Sequence, residues 1–197
     1  MKGTKNLTLY VILGIVVVLG IVGCNGYNSL VKQDEVVKNS WNNVNTEYQK
    51  RGDLVDNLVS TVKGAANFEK ETLTGLVEAR AKATSVNFTA DNLTPENLAK
   101  FQAAQSQVSG SLSRLLAVVE NYPDLKANQN FLQLQGQLEG IENDIRGSRR
   151  NFNDAVQTYN TKVRSFPTNI FAGIMGFKGR EGFKADEGAE KAPKVQF

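Results

Sequence analysis

The chain has 197 residues, 41% hydrophobic and 22% charged, with 23 Lys and Arg against 20 Asp and Glu. A chain of this size makes one domain that buries about two thirds of its unfolded surface, and its thinly spread, nearly balanced charge excludes the clustered basic footprint of a nucleic-acid binder. Histidine is absent and Cys24 is the sole cysteine, which excludes an intramolecular disulfide and removes most of the vocabulary of zinc sites, triads and thiol chemistry.

Leu7 to Gly23, LTLYVILGIVVVLGIVG, carries no charge. Its length of about 17 residues reaches the lower limit for crossing a bilayer and exceeds the ~7–15 apolar residues usual in a cleavable signal. Lys2 and Lys5 precede it, so the positive-inside rule keeps the N-terminus cytoplasmic and sends the remainder outward. The expectation is a single-pass protein of a bacterial cell membrane, in contact with membrane lipid, with its domain on the periplasmic or extracellular side. Ile21-Val22-Gly23-Cys24 also resembles a lipoprotein cleavage box, so residues 1–24 are read as an uncleaved anchor or, alternatively, as a signal that leaves a lipid on Cys24.

From Tyr27 the apolar positions recur at alternating spacings of three and four: Leu30, Val37, Trp41, Val44, Tyr48, Val55, Leu58, Val62 and Ala65. That is the seam of a helical bundle, interrupted by Asp34 and Arg51, with a kink expected at Gly52. A second helix is predicted from Phe68 to Ala83, with Asn67 as its cap. SVNFTADNLT, residues 85–94, reads as a loop, and Thr94-Pro95 opens a third helix. This one carries Leu98, Phe101, Val108, Leu112, Leu115, Val119 and Tyr122, with Gln105 in the missing seam position, and stops at Pro123. Phe131, Leu134, Leu138, Ile141, Ile145, Phe152, Val156, Tyr159, Val163 and Phe166 form the last and longest stripe. Its length matches the first, so these two helices are expected to pair. Short connections favour antiparallel neighbours, and the predicted fold is all-α: the anchor followed by an elongated antiparallel up-and-down four-helix bundle over residues 27–166.

Residues 167–178 form an amphipathic tail. Ile170, Ile174 and Phe177 fall on one helical face with Phe171 and Met175 beside them, a surface suited to a membrane or a partner. Gly179 to Phe197, rich in Gly, Glu, Lys and Ala, is expected to be flexible.

Arg51, Asp53, Asn57, Glu120, Lys126, Glu142, Arg149, Asn153 and Asn160 flank the apolar seams. A charge buried alone costs several kcal/mol, so those that face inward are expected to pair across helices. Glu69 with Glu71, and Glu139 with Glu142, read as solvated helix faces; a di-metal bundle needs Glu-x-x-His, which a chain without histidine cannot supply. No catalytic, cofactor-binding or metal-ligating residue is assigned, and no cofactor is expected.

YNSLV at 27–31, KRGDLVDNLVSTVKG at 50–64, ENYPDLKANQNFLQLQ at 120–135, ENDIRGSRRNFNDAVQTYN at 142–160 and FPTNIFAGIMGF at 166–177 resemble the LemA family. The resemblance implies an anchored long-helix bundle in bacteria, without an established catalytic activity or ligand, and it suggests partnership with an envelope protein such as a membrane protease. Two departures stand out: Asp56 where the family commonly has proline, and Phe68 where histidine is common. The expected role is a non-enzymatic scaffold for self-assembly or for docking a membrane partner; the alternative is an envelope sensor that holds a ligand between its helices.

Overall fold

The computed structural model describes residues 2–64 and 68–184, and among these it forms six α-helices, one 3-10 turn and no strand. Helix α1 (Lys2–Lys63) is a single helix of 62 residues, about 93 Å long at 1.5 Å per residue. No break separates the apolar run from the seam, and α1 continues through Gly52. Its seam faces inward as predicted, with Leu30, Val37, Trp41, Val44, Val55, Leu58 and Val62 all buried. Ala65 lies outside the described residues.

Helix α2 (Lys70–Ser85) begins with Glu69 at its cap position; the expected cap, Asn67, lies outside the described residues. Helix α3 (Pro95–Val119) starts as its sequence dictates, with Pro95 in the first turn and the Thr94 hydroxyl accepting from the Asn97 N–H at 3.1 Å. A single turn, α4 (Pro123–Lys126), leads into α5 (Gln129–Arg164). Asn128 caps α5 by accepting from the N–H groups of Asn130 and Phe131. The last helix, α6 (Thr168–Met175), ends on Gly176, whose φ of 81° suits a residue without a side chain.

Cross-helix contacts give the directions. Trp41 donates from Nε1 to the Phe88 carbonyl and Asp56 pairs with Arg80, so α2 runs back along α1. Phe101 lies on Trp41 and Tyr48 while Gln105 and Ser109 meet Arg51, so α3 runs alongside α1 in the same sense. Glu142 meets Arg51 and Phe152 meets Trp41, so α5 returns.

The core falls into two clusters. The distal one is mainly aliphatic, with Val55, Leu58, Val62, Leu76, Leu112, Leu115 and Leu138 around a single buried aromatic, Phe131. The other, nearer the apolar run, is aromatic, with Trp41, Phe101, Phe152, Tyr159 and Phe183.

Two expectations about the C-terminal part need correction. Phe166, counted with the α5 stripe, lies past the end of that helix and is 81% exposed. Residues 179–184, expected to be flexible, instead run back along the domain and bury Phe183. The remainder of that stretch, residues 185–197, lies outside the described residues.

Candidate functional site

The nine polar candidates do not form one network; the structure sorts them into three groups and a remainder. The first centres on Arg51, which occupies a seam position and is 2% exposed. A guanidinium there must spend its donors on protein acceptors, because water cannot reach it. Nη1 donates to Ser109 Oγ at 2.8 Å and to Glu142 Oε1 at 2.9 Å. Nη2 donates to the side-chain and main-chain oxygens of Gln105 at 2.6 and 3.1 Å, and the Tyr48 ring covers the cation at 5.0 Å. Gln105, the polar residue in the α3 stripe, is thus the acceptor that Arg51 requires. This cluster ties α1, α3 and α5 together at one level.

Beside it lies a crevice of ≈ 140 Å³ lined by Tyr48, Arg51, Arg80, Asn87, Phe101 and Gln105 among others. Arg80 Nε is buried there without a hydrogen bond, although its Nη2 donates to Asp56 at 2.6 Å. The crevice is smaller than the ~300–1,000 Å³ usual for drug-sized ligands.

Asp53 and Asn57 are exposed and line a shallow groove between α1 and α5, opposite Gln137, Gly140 and Asp144. Glu120 and Lys126 form the second group, an exposed ion pair of 2.6 Å that brackets the α3–α4 turn. Surface pairs of this kind contribute about 0–1 kcal/mol. Glu69 and Glu71 both face Arg114, at 3.7 and 3.9 Å. Among the described residues no group of three or more acidic or cysteine side chains is placed to hold a metal ion.

The third group, Arg149, Asn153 and Asn160, faces the returning chain. Asn160 donates to the Arg180 carbonyl and accepts from the Arg180 N–H, both at 2.8 Å. Asn153 does the same with Phe183, at 3.1 and 2.8 Å. Each amide therefore holds a backbone unit from both sides, as a neighbouring strand would. The spacing is physical: seven helical residues advance about 10.5 Å, and three extended residues about 9–10 Å. Arg149 lies over the Phe183 ring at 4.7 Å and reaches the Lys184 carbonyl.

The chain that these asparagines grip reads Gly176-Phe177-Lys178, Gly179-Arg180-Glu181, Gly182-Phe183-Lys184. It is a three-residue repeat whose positions have separate jobs. The glycines at 179 and 182 lie against Asn160 and Asn153, where an added Cβ would fall 3.3 and 2.7 Å from the amide oxygens. The middle residues turn inward: Phe177 against Tyr27, Arg180 against Asp34, Phe183 against Trp41. Lys178, Glu181 and Lys184 stay exposed. Arg180 donates to Asp34 Oδ1 from Nε and Nη2, at 3.0 and 2.7 Å, and from Nη1 to the Ala90 carbonyl at 2.6 Å. Asp34, the other interruption of the α1 seam, is thereby paired, and Lys38 joins it and Asp91. Hydrogen bonding to Asp91 is the main cause that holds the Lys38 ammonium pKa above its usual value. The nearby Tyr159 phenol is pushed up, chiefly by burial and then by the Asp34 carboxylate. Neither Asp34 nor Arg180 was singled out from the sequence as a site residue; the glycine triplet was the available signal.

At the end of the domain next to the apolar run, the amphipathic tail divides. Phe171 and Phe177 are half-buried, whereas Ile170, Ile174 and Met175 are 51, 78 and 47% exposed. Phe177 does not share their face, since it follows the Gly176 turn and packs on Tyr27. Cys24, the lipidation candidate, is exposed.

From Leu9 to Val18, and again at Ile21, every large apolar side chain described leaves more than half its surface uncovered. This is the one helix among the described residues long and apolar enough to cross a membrane, and it fits membrane anchoring. Over 160 residues, 81% of this chain and 69% of the relative, the chain is 26% identical to Protein LemA of Metamycoplasma hominis. It is also 35% identical over 81 residues to Magnetosome protein MamQ 2 of Paramagnetospirillum magneticum, and 32% identical over 80 residues to Magnetosome protein MamQ of Magnetospirillum gryphiswaldense. Those two alignments cover 41% of this chain and only 30 and 29% of the magnetosome proteins. A model of the LemA family matches residues 40–197, a span that takes in the Arg51 cluster, the asparagine pair and the glycine triplets. An apolar leading helix, an all-helical domain and this match together place the chain in the LemA family.

Proposed function

We propose that the protein is a single-pass membrane-tethered scaffold, with its helical domain outside the cytoplasm, that presents the long faces of α1 and α5 for self-assembly or for docking a neighbouring membrane protein. The observation that supports this reading is the unbroken passage of α1 from the apolar run into the core. A flexible linker would let a domain search the space around its anchor. A continuous helix instead sets the height and facing of the domain, which is what a docking platform needs. The open groove at Asp53 and Asn57 supplies polar recognition along the shared α1–α5 face.

Crosslinking in native membranes followed by mass spectrometry tests this. Expected are defined crosslinks from α1 and α5 to a second copy or to one membrane partner, of which an envelope protease is one candidate. A monomeric, partnerless profile overturns the proposal.

A further inference from the structure

We propose that α6 is a wedge seated in the lipid bilayer, dipping its exposed apolar face into the leaflet from which α1 emerges; this rests on the tethered reading above. The argument begins with where α6 lies on α1. A Cβ added at Gly26 would meet both Phe171 and Thr168 at 3.9 Å, and one added at Gly23 would meet the Phe171 ring alone, at 2.9 Å. Gly23 is itself buried beneath that ring. Thr168 is met from Gly26 only, whereas Phe171 reaches on to Gly23, so α6 descends toward the apolar run. Gly23 is the last residue of that run. Met175 lies four residues beyond Phe171, about 6 Å further along the α6 axis at 1.5 Å per residue.

The chain then reverses at Gly176, the one described glycine with positive φ, and climbs back to Tyr27. The result is a short hairpin whose tip carries Ile174 and Met175. Only Phe171 and Ala172 of the helix's apolar residues are turned against the protein. Ile170, Ile174 and Met175 remain uncovered, on a helix that Phe171 packs against the end of the exposed α1 run. A bilayer that covers the α1 run is placed to cover them as well. Exposed Arg164 and Lys178 flank the hairpin, placed to meet lipid phosphates while the apolar tip enters the acyl boundary. An eight-residue helix is too short to bind a membrane by itself, but packing against α1 removes that demand.

The test uses the full chain with Cys24→Ser, so that a single introduced cysteine carries an environment-sensitive fluorophore. Ile174→Cys, and independently Met175→Cys, are compared with Leu132→Cys on α5, which is also exposed. The protein is reconstituted into phosphatidylcholine–phosphatidylglycerol vesicles, with and without lipid that bears a quencher near the headgroup end of its acyl chain. A wedge at the acyl boundary gives blue-shifted emission quenched at least about twofold at 174 and 175, with no quenching at 132. Water-like, unquenched emission from vesicle-bound protein overturns the wedge and leaves the tether standing. Blue-shifted but unquenched emission also overturns it, since protein rather than lipid then covers the tip. Failure of the chain to float with vesicles at all defeats the tethered reading itself, and the wedge with it.

Discussion

The two halves of the domain solve the same packing problem by different means. In the distal half, α1, α2, α3 and α5 surround a mainly aliphatic cluster, and helix-spaced side chains fill the space without help. Toward the apolar run α2 and the start of α3 give out, and the place they vacate is taken by a helixless chain, residues 177–184, over an aromatic cluster. Helices bring their own backbone hydrogen bonds, whereas an extended segment must borrow partners. Asn153 and Asn160 provide them. The lesson is that one half is held by periodic burial and the other by a strap with a register.

The largest effect is expected where the strap and the aromatic cluster meet. Trp41, 0% exposed, touches Phe101, Phe152 and Phe183. Trp41→Ala should cost about 3–5 kcal/mol, read from the urea midpoint by circular dichroism; a loss near 1 kcal/mol would mean that the proximal half is loosely packed and would erase the contrast. Next comes the level at which the halves join. Arg51→Ala strands Gln105 and Glu142 and should cost about 3 kcal/mol. Glu142→Gln should cost only about 1 kcal/mol, because Glu142 is 32% exposed and water can substitute. A double-mutant cycle then measures how strongly α1 and α5 are coupled there.

The strap itself sharpens the comparison. Asn153→Ala and Asn160→Ala should each cost about 1–2 kcal/mol and speed hydrogen exchange at the Phe183 and Arg180 amides roughly tenfold or more, since each removes two hydrogen bonds. Their effects should be less than additive, because a strap freed at one end peels from the other. Gly182→Ala should imitate Asn153→Ala, its methyl displacing the Asn153 oxygen that lies 2.7 Å away. Exchange unchanged in all three variants would remove the register from the account.

The smallest expected effect is on pH dependence. Burial, then Asp34, raises the Tyr159 pKa, against a smaller opposing pull from Arg180. An unfolded tyrosine loses its proton near pH ~10 while the folded phenol keeps it, so the Tyr159 contribution is intact below about pH 10 and is lost as pH rises through the folded value. Tyr159→Phe, compared with the parent chain by urea denaturation on either side of that pH, should show the smaller decline. An equal decline in both would place the alkaline loss elsewhere.

What the sequence disclosed follows the same division. Trp41, Leu58, Leu115 and Phe152 announce themselves because a helix repeats its buried face every three or four residues, and Thr94-Pro95 marks a helix start because its chemistry is local. The passage of α1 through Gly52 was legible in the seam that continues to Val62, because an intrinsic cost near 1 kcal/mol is small beside what burying Val55 and Leu58 contributes. Arg51 and Glu142 could be nominated as polar flanks, but not as partners separated by 91 positions. The strap was misjudged because composition describes how polar a segment is, whereas the repeat of glycines at 176, 179 and 182 describes how closely it can approach a helix. Asparagine pairing to a passing backbone leaves no hydrophobic period at all.

One consequence of the undivided first helix is mechanical. Its portion beyond the apolar run, residues 27–63, is a lever of about 55 Å, clamped to α5 along its side. In the tethered reading proposed above, a change of about 10° in the tilt of the apolar run, of the sort that bilayer thickness imposes, would sweep the far tip through roughly 10 Å and so couple lipid composition to the reach of the outermost turn.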